Sequence, residues 1–356
     1  MNDQFPVYEI KTLNQARCAE IRDRINAKTK PLGALGQMES LAERIALIQS
    51  RRKPVPERIE INQPVMLVFA ADHGIAAHPV SIAPQAVTFQ MVMNFLAGGA
   101  AINCFCRAND VDMRIIDAGV ITAVETDDSR FISARIAAGT ADITEQSAMT
   151  RFQLIQAINS GAQIANQQID SGSNVLAFGE MGIGNTSCAS ALLALVEGVP
   201  VSQAVGKGTG ITEAQLQEKI RLIQQAVNRV RSAHPQLPPE VVLMEAGGFE
   251  IAQMVGAMLA GAERGITLLI DGFIVSVAAL IAVRIEPSCR DYMVFAHCSA
   301  EKAHIATLDA LGARPLLDLE LRLGEGTGAA LAVPLLRAAC AFYNDMATFE
   351  SAGVTV

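Results

Sequence analysis

Tryptophan is absent, aromatic residues make up only 4% of the chain, and charged residues 18%. No basic run occurs, and 28 basic against 36 acidic residues leave a net charge of −8. A binder of phosphate backbones needs a clustered positive field, so nucleic acid is excluded as a partner. The seven cysteines, at 18, 104, 106, 188, 289, 298 and 340, contain no CxxC pair. Odd in number and scattered, they fit neither a disulfide framework nor a zinc site, and they point to reduced thiols in a cytoplasmic protein. The five histidines include no HxxxH, so no metal site is expected, and no GxSxG nucleophile elbow is present. The first residues, MNDQFPVYEIKTLNQ, lack a basic stretch followed by an apolar run, so no signal peptide is expected. The longest apolar run, residues 266 to 283, is interrupted by Asp271 and Gly272. A membrane-spanning helix wants about 20 uninterrupted apolar residues. A buried strand, a turn and a core helix fit that run better, and no membrane association is expected.

What the chain does have is apolar mass. Its 356 residues are 51% hydrophobic, enough to bury a sizeable core in about two domains or in one large domain with an appendage. Short apolar runs recur at 65–74, 113–120, 174–184, 241–248, 266–272 and 291–299, each closed by a polar or glycine-rich turn. Helical patterns separate them. Strand alternating with helix predicts an α/β, Rossmann-like fold with a mainly parallel sheet of about six strands flanked by helices. Both chain ends read as helix. Cys18, Ile21 and Ile25 share one face, and Ser40–Glu43 resembles a capping box ahead of Ile45 and Ile48. Near the other end, Pro334 kinks a helical stretch or starts a new turn. The expected division is a small helical domain from residues 1–60 with 330–356, and an α/β domain over 61–329.

Polar groups cluster where the runs end: Asp72 and His73, Asp117, Glu180, Glu245, Asp271, His297 and Ser299. Turn chemistry alone accounts for any one of them. Together they mark the carboxyl edge of a parallel sheet, where such folds bind ligands. Gly179-Glu180-Met181-Gly182-Ile183-Gly184-Asn185-Thr186-Ser187 follows a strand and opens a helix. Free N–H groups at such a helix start attract an anion, so this turn reads as a phosphate site or as a simple capped turn. Gly206–Gly210 is a second glycine-rich turn, and Lys219 follows it on a helix, either as a point charge for an anion or as a solvated surface lysine. Leu323-Gly324-Glu325-Gly326-Thr327-Gly328 sets one carboxylate between glycines. A poorly hydrated Glu has a raised pKa and suits a general base; a glutamate placed by a helix dipole is the competing reading.

Taken in order, Lys28–Gly36 (KTKPLGALG), Ala71–Gly74 (ADHG), Gly179–Thr186 (GEMGIGNT), Leu269–Phe273 (LIDGF), His297–Lys302 (HCSAEK) and Arg322–Gly328 (RLGEGTG) form a set. This set resembles the nicotinate-nucleotide:dimethylbenzimidazole phosphoribosyltransferases of cobalamin synthesis, from about residue 28 to 345. The resemblance implies transfer of phosphoribose from nicotinate mononucleotide to 5,6-dimethylbenzimidazole by a homodimer without a cofactor. It implies that Glu325 is the catalytic base, beside Leu323 and Gly324. It implies that Glu180, Gly182, Gly184, Asn185, Thr186, Ser299 and Lys219 hold the nucleotide. In the segment beside the incoming base the family often carries a serine where Ala83 stands; Ser81 and Gln90 are the expected contacts there. Asp271, or Asp117, is the candidate for steadying a cationic sugar. An NAD(P)-dependent oxidoreductase would need GxGxxG early in the chain with an acidic residue about 20 positions on; here GxGxxS falls mid-chain. A non-catalytic small-molecule binding protein of the same fold is the remaining alternative.

Overall fold

Val65–Ala71 is buried along its whole length, as a central parallel strand must be when helices cover both faces of the sheet. It is β1. The structure, a computed structural model, describes residues 4–51, 54–206 and 210–355. In chain order its elements are α1 (Cys18–Asn26), α2 (Gln37–Gln49), β1, α3 (Val87–Ala97), α4 (Ala101–Ala108), β2 (Asp112–Gly119), β3 (Phe131–Ser133), α5 (Arg151–Asp170), β4 (Val175–Met181) and α6 (Asn185–Glu197). There follow α7 (Val201–Ala204), α8 (Glu213–Ala233), α9 (Pro239–Ala246), α10 (Phe249–Arg264), β5 (Thr267–Ile270), α11 (Phe273–Ile285), β6 (Met293–Phe295), α12 (Lys302–Ala310), α13 (Thr327–Asp345) and α14 (Phe349–Ala352).

The six strands are all parallel and lie in the order β3-β2-β1-β4-β5-β6. The chain winds outward from β1 to β3, then restarts at β4 on the other side of β1. The strand order reverses between β1 and β4, and a crevice opens outside their carboxyl ends. The six-strand expectation holds with one exchange. Residues 241–248 form no strand; they make most of α9, with Pro238 as its N-cap and Pro239 in its first turn. A proline there already has the backbone angle that a helix start requires. The sixth strand is instead Phe131–Ser133, too short to leave a periodic signature.

The run at 266–283 divides as expected, into β5, a turn at Asp271 and Gly272, and the buried helix α11. Another apolar stretch, Val87–Ala108, breaks into α3 and α4 at Gly98, whose φ is 78°. Ser40 caps nothing: α2 begins at Gln37 with Gly36 before it, so Ser40–Glu43 lies inside the helix. Pro334 also lies inside an unbroken helix, α13. Its missing N–H would have bonded the carbonyl of Ala330, which accepts from the Asn109 side chain at 3.1 Å instead.

Two glycines set the closest helix crossing. A Cβ on Gly161 of α5 would strike the Gln253 carbonyl, and one on Gly256 of α10 the Ile158 carbonyl. At the ends of the chain, α2 packs on α13. Thr29 N donates to the Ala347 carbonyl and Phe349 N to the Ala27 carbonyl, with Lys28 bridged to Thr348.

Candidate active site

A cavity of about 570 Å³ opens outside the carboxyl ends of β4, β5 and β6. Glu180 and Gly182 reach it from the end of β4, Asn185 and Thr186 from the first turn of α6, Asp271 from the turn after β5, and Ser299 from beyond β6. The segment ahead of α13 closes the opposite wall with Leu323 and Gly324. Phe273 and Ile274 at the start of α11 add an apolar side.

The turn Gly182–Gly184 is shaped by close approach. A Cβ on Gly182 would collide with the Ala71 carbonyl at the end of β1, and Gly184 takes a φ of 96° that favours glycine. The result aims the open N-terminus of α6 into the cavity. Lys219 reaches the same turn from α8, donating to Thr186 Oγ1 at 2.9 Å. It is only 1% exposed, so it is not the solvated surface lysine. Burial lowers its pKa to about 8, although Glu301 and Cys188 favour its charge. Of the second glycine-rich turn, Lys207, Gly208 and Thr209 lie outside the described residues.

Four carboxyls surround this point, three of them buried and Glu301 half-buried. Glu180 accepts from the Asn185 amide, and burial pushes its pKa up to about 8. Asp271 accepts from Ala329 N at 2.8 Å, with His297 Nε2 at 3.5 Å; burial raises its pKa. Burial also raises the pKa of Glu301, against the pull of Lys219 and Arg322. The fourth is Glu325. It has a φ of 64° between Gly324 at 83° and Gly326 at 91°. A left-handed backbone at a non-glycine residue costs roughly 1–2 kcal/mol and is concentrated at functional sites. Glu325 precedes α13 rather than standing in its first turn. The side chain is turned inward, 5% exposed, and Oε2 accepts from Ile102 N of α4 at 3.4 Å. Burial raises its pKa, the Ile102 bond opposes that rise, and the Asp271 charge adds to it. Glu325 stands one residue behind the cavity wall formed by Gly324 and is not itself part of that lining.

Other expected residues lie elsewhere. Ser81 and Gln90 do not line the cavity: Ser81 Oγ accepts from Ala83 N at 3.1 Å, and Gln90 is exposed on α3. Asp117 Oδ1 accepts from Val120 N and Asp72 Oδ2 from Ile121 N, both at 2.8 Å, as turn-forming carboxylates do. Glu245 is not at the sheet edge; it sits on α9, paired with Arg229 at 2.6 Å and His234 at 2.9 Å. His73 is buried behind Gly182, between Glu250 Oε1 at 2.8 Å and Cys188 Sγ at 3.2 Å. All seven cysteines are free. Two residues escape the sequence reading. Thr88 Oγ1 accepts from Ile183 N at 3.1 Å and ties α3 to the Gly182–Gly184 turn. His304 Nδ1 accepts from Ser299 N at 2.8 Å and so fixes Ser299. Neither position carries a signal in the sequence.

Comparison with known proteins agrees with this geometry. A family profile described as phosphoribosyltransferase matches residues 10–354. The Vibrio cholerae serotype O1 protein named nicotinate-nucleotide–dimethylbenzimidazole phosphoribosyltransferase is 54% identical over 97% of this chain and 100% of its own. The protein of that name from Dechloromonas aromatica is 52% identical over 98% of each chain. A crystal structure of the Thermus thermophilus protein of that name superposes with a TM-score of 0.89 at 42% identity, covering 97% of this chain and 100% of that one. This chain belongs to the phosphoribosyltransferase family that those relatives represent.

Proposed function

We propose that the chain transfers phosphoribose from nicotinate mononucleotide to 5,6-dimethylbenzimidazole, releasing nicotinate and giving α-ribazole 5′-phosphate. One observation carries the chemistry: a single inward-turned carboxylate, Glu325, in a strained glycine-walled turn beside a cavity whose far side offers an anion site.

The substrate phosphate sits at the N-terminus of α6, with Thr186, Ser299 and Lys219 around it; a helix start and an ammonium both favour a dianion. Glu180, protonated at neutral pH, donates to a sugar oxygen and spares the phosphate a further negative neighbour. Nicotinate departs from a pyridinium, taking the bonding pair of the C1′–N bond and becoming neutral at its ring nitrogen. No acid is needed for that step. One ring nitrogen of the azole attacks C1′ from the opposite face while Glu325 takes the proton from the other, so the sugar inverts from β to α. The attacking nitrogen must be held about 3–3.5 Å from C1′. Asp271 faces the developing positive charge on the sugar. Ser81 and Gln90 contact the azole only after rearrangement of the 81–90 segment.

We further read the protein as a cytoplasmic homodimer, with residues 1–60 and 330–356 as a small helical domain against 61–329. Packing of α2 on α13 supports that division; α13 runs unbroken across the 329/330 boundary.

Glu325→Gln keeps the shape of the side chain and removes the base. It should fold and bind nicotinate mononucleotide normally and lose about 10²–10⁴-fold in kcat, the usual share of a general base. The measurement is nicotinate release with both substrates present. Wild-type turnover in this variant would remove the base from the scheme.

A further inference from the structure

A second, smaller cleft lies along the β6 edge of the sheet. Arg44 from α2, Arg290 from the 3-10 turn Pro287–Tyr292 ahead of β6, and Arg314 after α12 line a cavity of about 180 Å³ against the edge strand β6. It shares no lining residue with the catalytic cavity. Met293, Val294 and Phe295 all line it, so the cleft runs along the outer edge of β6, past whose carboxyl end the catalytic cavity opens.

Its lining contains three guanidinium groups and no carboxylate. Among the described residues, none of the three arginines makes an ion pair within 4.0 Å. Their hydrogen-bond partners are neutral. Arg290 donates to the carbonyls of Leu311 at 2.8 Å and Gly312 at 2.9 Å and lies over the Phe295 ring at 4.9 Å. Arg44 donates to the Asp291 carbonyl at 2.8 Å. Arg314 Nε meets the Gln37 side-chain oxygen at 3.1 Å in the amide orientation that satisfies both groups. These bonds fix the forks without neutralising them. A guanidinium carries five donors, so each arginine has N–H groups to spare. The opposing charges felt there are Asp291, by both Arg44 and Arg290, and Glu43, by Arg44; Asp291 Oδ2 accepts from Leu13 N at 3.2 Å, Glu43 pairs with Arg22, and neither lines the cleft. Burial first, and then the charge of Arg44, lowers the pKa of Arg290 to about 10. Three converging cations repel one another, and an oxyanion between them turns that repulsion into bidentate hydrogen bonding.

We propose that the Arg44–Arg290–Arg314 cleft binds a small tetrahedral oxyanion: inorganic phosphate, or the phosphate group of a small phosphomonoester. The cavity has room for one such group and a few waters, each taking about 30 Å³, and is too small for a whole nucleotide.

Phosphate also fits the catalytic cavity, so the test must separate two sites. Inorganic phosphate is titrated by calorimetry at constant ionic strength into the full-length wild type, Arg44→Gln, Arg314→Gln and Lys219→Met. Glycerol phosphate replaces inorganic phosphate in a second series, and tighter binding by one identifies the source. The expected result is two sites in the wild type. Lys219→Met loses the catalytic one. Arg44→Gln and Arg314→Gln each weaken the other at least tenfold while nicotinate release stays at the wild-type rate. Arg314 is exposed, so its variant folds even if Arg44→Gln does not. Unchanged phosphate binding in Arg314→Gln, or no binding of either anion to Lys219→Met, would overturn the proposal.

Discussion

Glu180 lines the cavity and Lys219 backs it through Thr186, with pKa values displaced in opposite directions, each to about 8. Burial disfavours charge on both, so the lysine loses its proton early and the glutamate keeps its proton late. Below pH 8 the site holds an ammonium and a neutral acid, a setting that accepts a phosphate. Above it, two protons leave and the site becomes two charges more negative. As the proposed base, Glu325 works the other way: that role needs it deprotonated, and its pKa is raised above the ordinary value of 4.5. We therefore expect kcat/KM for nicotinate mononucleotide to climb with pH on a limb displaced above the normal carboxylate range. It should then fall around pH 8 with a slope approaching −2. Steady-state kinetics at fixed ionic strength measures this, and a plateau running flat past pH 9 would contradict the assignment of Lys219 and Glu180 to phosphate binding.

Helix α10 runs against α5 at a crossing where Gly161 and Gly256 each meet a carbonyl of the other helix. A methyl group there has no space to enter, so the two helices must separate. Gly256→Ala should cost about 1–3 kcal/mol, typical of overpacking, with little change in KM because neither helix lines the catalytic cavity. Denaturant unfolding gives the first quantity and kinetics the second. Elements of this kind show how far the sequence could be read. Strands β1 and β5 were plain because wholly buried strands are unbroken apolar runs between turns. Residues 241–248 carry an equally apolar run, and a run that short cannot be told from a buried helix by periodicity. The Pro238-Pro239-Glu240 start was the sign that it is helical. The Gly182–Gly184 turn and the Glu325 turn were readable because glycine at close approaches leaves a mark. The seating of Ile183 by Thr88 was not, since it depends on a contact between distant segments; Ser299 and His304 are only five residues apart, but their bond depends on how the turn after β6 folds back on α12.

At the scale of the whole molecule, the two chain ends clasp each other. The Lys28 ammonium is buried and donates to the Met346 carbonyl at 2.7 Å, while Thr29, Ala27 and Thr348 complete the join. Removing residues 346–356 takes away every one of those partners. The truncated protein should melt at least about 5 °C lower, on the scale of 2–4 °C per kcal/mol for a chain of this size, and trypsin should cut after Lys28 or Lys30. Differential scanning calorimetry and mass spectrometry of the digest measure both, and an unaltered melting point would mean the join is ornamental. The same join governs the order of biogenesis. About 320 residues separate Lys28 from Thr348, and a ribosome adds about 5–20 residues per second. Residues 27–29 must therefore wait tens of seconds, undocked, until residues 346–349 have been made, so this part of the protein finishes folding well after its first strand partners are available.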